Sequence, residues 1–282
     1  MTKAVSTFSI VTPSFNQVNF IDEALSSVDK QKRTFVEHLV MDGASTDGTV
    51  DLLRRYSLTS SHSYLRWLSE PDRGQSHALN KGFDRASGEV VGWLNSDDRY
   101  RPGCFDCIEH IFKAHPDVDV VYGDYTWINE SGDLQRVRRE IEFSYFILLY
   151  HRVPYIPSTA TFFRRRLLDE GNRLDEALQY AMDFEFFLRL AARGYRFLHV
   201  PFLLADFRFQ PDSKTCTAPH KQLEEIDYIM RHYSPMLRRL RKSMSRWLVL
   251  TMLRSCAAAL RYSEKLVRGY YFDNLRVPTL DR

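Results

Sequence analysis

The chain has 282 residues, 44% of them hydrophobic and 27% charged, enough to bury a large core in one or two domains and too apolar for a disordered protein. No uncharged apolar run reaches membrane-spanning length, and Met1 to Thr7 is too short and polar for a leader, so the expected location is the cytoplasm. The net charge of +3 is unevenly spread: Arg231 to Arg282 holds 12 Lys/Arg against 3 Asp/Glu, a balance of +9 that leaves −6 for the rest.

In chain order, Phe8 to Thr12 reads as a buried strand closed by Pro13-Ser14-Phe15-Asn16. Asn19 to Gln31 then places Ile21, Leu25 and Val28 at helical spacing. Val36 to Met41 is a second strand, ending at Asp42-Gly43-Ala44-Ser45-Thr46-Asp47-Gly48-Thr49, where Thr46 or Asp47 can cap a helix to about Arg55. Tyr64 to Leu68 predicts a third strand, Glu70 to Gln75 a loop and Ser76 to Ala86 a helix. Glu89 to Leu94 is a fourth strand that runs into Asn95-Ser96-Asp97-Asp98-Arg99-Tyr100. A helix from about Gly103 to Ala114 and a strand over Val118 to Tyr122 follow. This alternation predicts βαβ units and a largely parallel sheet.

Farther on, Asn129-Glu130-Ser131-Gly132-Asp133 can turn a hairpin within Trp127 to Arg139. An aromatic segment, Phe143 to Tyr155, precedes a strand over Ser158 to Arg165 and a helix opening near Tyr180 with Asp183 in its first turn. There Asp183 can cap the helix or meet its dipole, and the same carboxylate can also do chemistry. Lys221 to Tyr233 and Leu237 to Arg268 both predict helices.

Parallel sheets bind ligands beyond the carboxyl ends of their strands. Pro13 to Asn16, Asp42, the Asp72-Arg73-Gly74 loop and Asn95 to Asp98 all fall at such ends. Asn-Ser-Asp-Asp is ordinary turn chemistry, but acids at a strand end also suit Mg²⁺, which takes one or two carboxylates plus substrate phosphate oxygens. No Gly-x-Gly-x-x-Gly follows the first strand and no Walker-type loop occurs, so a phosphate bound here needs a metal. Four cysteines, Cys104, Cys107, Cys216 and Cys256, fit a reduced compartment. Cys104-x-x-Cys107 lacks a second pair or a histidine pair, which makes both residues helix positions and not metal ligands.

The set Val11-Thr12-Pro13-Ser14-Phe15-Asn16, Val40 to Thr49, Leu79-Asn80-Lys81-Gly82, Ala86-Ser87-Gly88-Glu89, Trp93 to Tyr100 and Met182-Asp183-Phe184-Glu185 resembles the family 2 glycosyltransferases. That likeness covers roughly residues 6 to 215 and implies the GT-A fold, an α/β Rossmann-like domain with a mixed, mostly parallel sheet. It further implies an inverting, metal-dependent hexosyltransferase that moves a sugar from a nucleoside-diphosphate sugar to a hydroxyl of a glycan or glycolipid acceptor. By the resemblance Pro13, Phe15 and Asp42 line the base, Arg73 lies near the diphosphate, Asn95 and Ser96 belong to the nucleotide site, and Asp97 is the direct Mg²⁺ or Mn²⁺ ligand. Asp183 matches the general base, with Asp98, Glu185 and Arg208 as supporting residues. Phe207-Arg208-Phe209-Gln210 looks like the short Arg-containing tail that follows the catalytic domain in relatives. The chain departs from the family in having Asn95 where an acid is common, Met182 for a Glu, and Phe209-Gln210 where a histidine follows the Arg.

The implied division is a nucleotide-sugar half over 1–125, an acceptor and catalytic-base half over 126–218, and a basic helical extension over 219–282. In that extension Arg238, Arg239, Arg241, Lys242 and Arg246 stand beside Trp247, Leu248, Leu250, Met252 and Leu253. Such a pattern over 236–268 suits an anionic membrane surface, here the inner face of the plasma membrane, or packing on the catalytic domain. Nucleic acid is not an expected partner, because the aromatic residues near the basic run are too sparse for stacking. Two competing functions share the pattern. One is a nucleotide-sugar-binding scaffold without catalysis, suggested by Asn95 and Met182; the other is a sugar nucleotidyltransferase, which usually has a Gly-rich basic loop after its first strand.

Overall fold

The structure is a computed structural model that describes residues 7–31, 36–59, 64–151, 153–210, 218–240 and 244–271. The apolar runs of the first hundred residues form parallel strands: β1 (Phe8–Ser14), β2 (Val36–Asp42), β3 (Tyr64–Ser69) and β4 (Val90–Trp93). They alternate with α1 (Ile21–Asp29), α2 (Thr49–Thr59) and α3 (Gln75–Phe83). β1, β2 and β4 are buried at every position, which is why their sequences read as continuous apolar runs instead of alternating ones.

After β4 the chain forms β5 (Arg99–Tyr100), α4 (Cys104–Ala114), and a hairpin of β6 (Val120–Ile128) and β7 (Leu134–Arg138). It continues through α5 (Tyr145–Tyr150), a 3₁₀ turn (Ser158–Ala160), β8 (Thr161–Arg164), α6 (Arg166–Asp169), α7 (Met182–Ala192) and β9 (Phe197–Arg208). The strand order is β3-β2-β1-β4-β8-β6-β9-β5, with β7 paired to β6. β8 runs antiparallel between β4 and β6, whereas β6 and β9 are parallel. Thus β1, β2, β4, β6 and β9 end at one edge of a mixed, mostly parallel sheet, and β8 begins there.

Side-chain alternation on these strands feeds two cores. Val11, Val120, Tyr122 and Phe163 pack with Leu79, Phe83 and Phe186 on one face, while Phe8, Ile10, Val121 and Phe162 pack with Phe105 and Ile108 of α4 on the other. Each fully buried Phe contributes about 1.5–3 kcal/mol by its removal from water. Cys104 and Cys107 are free thiols on α4, whose buried face includes Cys104.

Several expectations change. β9 is the longest strand yet had no prediction, because Pro201 interrupts it; the β6–β9 register shifts at that point, between Gly123 and Tyr125, and a bulge is where a strand tolerates proline. Phe207-Arg208 is therefore not a tail after the domain but the end of an inner strand. Ser158 to Ala160 form a 3₁₀ turn and not the start of the predicted strand. Residue 125, where the two implied halves of the one domain meet, lies within β6.

The C-terminal region forms α8 (Pro219–Tyr233), α9 (Pro235–Arg239) and α10 (Met244–Val267) in place of one helix from Leu237 to Arg268. Ser234 caps α9 through Leu237 N–H, and the chain is extended at Leu240. Arg241 and Lys242 lie outside the described residues. α8 packs on α5 and α7, and α10 on α5. α10 turns three of its cations inward: Arg261 and Lys265 reach the buried Glu140 at 2.6 and 3.2 Å and Arg254 pairs with Asp227; just past the helix Arg268 pairs with Glu142. Trp247, Leu248, Met252, Tyr262 and Leu266 remain on its exposed face. Among the described residues no helix is long and apolar enough to cross a membrane.

Candidate active site

A cleft of about 680 Å³ opens at the edge where the parallel strands end. Its walls include Pro13, Ser14 and Phe15 at the end of β1, Gly43 after β2, Trp93 to Asp97 without Leu94 at the end of β4, and Phe207 and Arg208 at the end of β9. The 3₁₀ turn that leads into β8 contributes Ser158, while Gly74-Gln75 and Met182-Asp183 bring the N-termini of α3 and α7 to the same cleft. Helix N-termini present free N–H groups and a positive dipole end, which favour anionic ligands.

The first two loops are knitted together. Gly43 N–H donates to Ser14 O at 2.8 Å, Asn16 N–H to Ser45 Oγ at 2.7 Å, and Thr46 N–H to Asn16 Oδ1 at 3.0 Å. Asn16 takes a φ of 53°, and Phe15 is left 61% exposed at the cleft mouth. Asp42 does not line the cleft. It is fully buried, Oδ2 accepting from Ser45 N–H at 2.9 Å and Ser69 Oγ at 2.6 Å while Oδ1 accepts from Ser45 Oγ at 2.5 Å. Asp42, which the resemblance places at the base, is bonded to Ser45 and Ser69 directly beside the lining residue Gly43.

Arg73 stands beside the cleft and not in its lining. Its neighbours Asp72 and Gly74 line the cleft, but its guanidinium is 69% exposed and pairs with Glu176 at 2.5 Å. Arg208 is the one Lys or Arg among the lining residues described, and it is heavily engaged. Its Nε donates to Asp97 O at 2.8 Å, Nη1 to Asn129 O and Glu130 O at 3.0 and 2.6 Å, and Nη2 to Glu23 Oε2 at 2.8 Å. Its backbone N–H holds Asp98 Oδ1 at 2.8 Å.

Asn95 is tied in on both sides of its amide. Oδ1 accepts from Trp93 Nε1 and Gln75 Nε2, both at 2.9 Å, and Nδ2 donates to Asp98 Oδ2 at 3.0 Å. Asp98 is buried and also accepts from Thr159 Oγ1; burial and then the neighbouring Asp97 push its carboxyl well above the usual range. Ser96 lines the cleft and is mostly buried. Asp97 faces the cleft, its carboxyl raised by burial against the lowering effects of Gln210 and Arg208. Gln210 Nε2 donates to Asp97 Oδ2 at 2.7 Å, which ties the segment after β9 to this carboxylate.

Among the described residues no group of three or more His, Cys, Asp or Glu converges to hold an ion. One cleft-facing carboxylate beside strand-end loops fits the open Mg²⁺ pattern, in which substrate phosphates complete the shell.

Asp183 sits one residue into α7, so it is not the N-cap; that position is Ala181, which offers no capping side chain. Its Oδ1 accepts Phe184 N–H at 2.8 Å. Burial, aided by the charge of Glu225, pushes Asp183 up to about 6 despite that bond. Glu185 lies on the same helix but turns away, accepting from Arg189 at 2.9 Å and from Tyr233 OH at 2.6 Å. The cleft therefore brings together Pro13, Phe15, Asn95, Ser96, Asp97, Asp183 and Arg208, and leaves Asp42, Arg73, Asp98 and Glu185 outside its lining. Gln75, Gln210, Gln222 and Glu225 were not singled out as site residues in the sequence, because glutamines and a helix glutamate carry no local signature.

Residues 9–171 match the model of glycosyl transferase family 2. An uncharacterized glycosyltransferase of Mycobacterium tuberculosis is 32% identical over 187 residues, 66% of this chain and 69% of the relative. Among solved structures, S. aureus TarS 1–349 in complex with UDP-GlcNAc superposes with a TM-score of 0.65 at 19% identity, covering 96% of this chain and 76% of that one. The mannosyltransferase PcManGT from Pyrobaculum calidifontis, in complex with GDP-Man and Mn²⁺, does so with a TM-score of 0.58 at 18% identity, covering 97% and 88%.

Proposed function

This chain belongs to glycosyl transferase family 2, and from that premise we propose that it moves a sugar from a nucleoside-diphosphate sugar to an acceptor hydroxyl, with Asp183 as the general base. The observation that carries the assignment is the shared cleft: a carboxylate poised near 6 at the start of α7 and a second carboxylate, Asp97, at the end of β4. A base works best with its pKa near the operating pH, and proton removal by a placed carboxylate contributes on the order of 10²–10⁴-fold. An acceptor hydroxyl that loses its proton to Asp183 attacks the anomeric carbon as the nucleoside diphosphate leaves, which inverts that carbon in one displacement. No enzyme nucleophile is required.

The donor site falls to Pro13, Phe15, Asn95 and Ser96, with the N-terminus of α3 toward the diphosphate. Asp97 would hold a Mg²⁺ or Mn²⁺ ion, which stabilises negative charge on the leaving diphosphate when bound. Support for a metal comes from the charge balance of the cleft, whose one lining arginine already serves four acceptors. In this reading residues 1–125 supply most of the donor site, 126–218 the base and the acceptor side, and 219–282 a basic extension.

The acceptor is a lipid-linked or surface glycan precursor, reached at an anionic membrane through the exposed apolar face of α10 and the exposed Arg238 and Arg239 at the end of α9. Each basic residue near such a surface contributes about 1 kcal/mol and is screened by salt. Sedimentation with phosphatidylglycerol vesicles at low and high salt tests this part, and a chain that ignores the vesicles at low salt removes it.

The catalytic reading is tested by release of nucleoside diphosphate from UDP- and GDP-sugars, with Mn²⁺ or chelator and a panel of glycan and glycolipid acceptors. Product formation separates a transferase from a binding scaffold. Binding without turnover under every combination would refute the proposal.

A further inference from the structure

α8 reaches the candidate base from outside the matched part of the family model, which ends at residue 171. Glu225 of α8 accepts three consecutive backbone N–H groups: Gln179 on Oε1 at 2.9 Å, and Tyr180 and Ala181 on Oε2, both at 2.8 Å. These residues are the strap that leads into α7, two residues before Asp183. We propose that Glu225 is a positioning residue for Asp183, clamping the strap Gln179–Ala181 so that the start of α7 presents its carboxylate to the cleft. The inference rests on the reading of Asp183 as the base.

Three features make this more than a local bond. α7 has no side-chain cap of its own, so the entry angle of its first turn must be fixed from elsewhere. The strap is also held on both sides. Gln222 Nε2 donates to Tyr180 O at 3.2 Å from the same face of α8, Lys221 lies 5.9 Å from the Tyr180 ring centre, and Gln179 packs against Gly74 at the start of α3. Finally, Glu225 places a negative charge where it opposes ionisation of Asp183, after burial the second influence in that direction. An amide side chain cannot reproduce this clamp, because its NH₂ would face an N–H donor where an acceptor is needed. Among the described residues, charged groups also near this end of α7 include Glu185, paired with Arg189 and Tyr233, and Lys221.

The test compares full-length wild type, Glu225→Gln, Glu225→Asp and Asp183→Asn. In Glu225→Gln, amide hydrogen exchange at residues 179–181 should accelerate at least tenfold, and the Asp183 carboxyl, followed by ¹³C NMR, should titrate below about 6. Glu225→Asp keeps the charge and loses the reach, so exchange should accelerate with a smaller change in titration. Turnover should fall about 10–100-fold in both with donor KM within twofold, the scale of a misplacement near 1 Å. Unchanged exchange and an unchanged Asp183 titration in Glu225→Gln overturn the proposal. So does unfolding of both Glu225 variants, which would make the residue a general part of the fold. Full activity in Asp183→Asn would instead remove the base assignment while leaving the clamp geometry intact.

Discussion

Asp183→Asn should make the protein more stable at neutral pH while removing its turnover. Burial lifts this carboxyl from 3.8 to about 6 in the folded chain, so the folded state binds more protons than the unfolded one between those values. The stability this group allows is fully present below the unfolded pKa and is lost as pH rises through the folded one. This difference costs about 3 kcal/mol above pH 7, about half of that at pH 5 and little at pH 4. The Asn side chain cannot ionise and can keep the bond from Phe184 N–H through its own Oδ1. Denaturant melts of the two proteins at pH 5 and pH 8 should therefore give a gain for Asp183→Asn that grows with pH toward about 3 kcal/mol. Turnover should fall by about two or more orders of magnitude, and wild-type turnover should rise with pH through about 6. A variant that is no more stable than wild type at pH 8 refutes the account of a carboxylate held against its preference, whatever happens to activity.

Asp97→Asn should abolish the part of the thermal stabilisation by UDP or GDP that depends on Mn²⁺; for wild type this is about 2.7 kcal/mol at a hundredfold excess over Kd, and equal stabilisation in chelator defeats the metal assignment. Gly43→Ala places a Cβ 2.7 Å from Asp72 Oδ2 and 3.3 Å from the Phe15 ring, so calorimetry should show nucleotide affinity at least about tenfold weaker with little change in Tm. Arg261→Met leaves buried Glu140 with Lys265 at 3.2 Å and Arg138 at 3.9 Å and should cost about 3 kcal/mol, with Glu140→Gln added to it recovering most of the loss. A change of Tm under 2 °C in Arg261→Met would mean that α10 does not depend on this pair.

Patterning along the sequence determined the alternation of β1 to β4 with α1 to α3 and the placing of candidate residues at strand ends. Runs buried on both faces and helical spacing are local properties that survive without knowledge of the partner. Pro13, Phe15, Asn95 and Asp97, placed at strand ends by the same patterning, line the cleft, and Asp183, singled out by the resemblance, joins them from the first turn of α7. Tertiary structure alone decided where the other side chains turned. Asp42 is spent on Ser45 and Ser69, Arg73 on Glu176 across a separation of 103 residues, and Arg208 on Asp97 O across 111. Gln210 and Glu225 acquire their places only when β9 enters the sheet and α8 packs on α7, because a buried polar group takes whichever partner the fold brings within hydrogen-bond reach, and sequence spacing does not encode that distance.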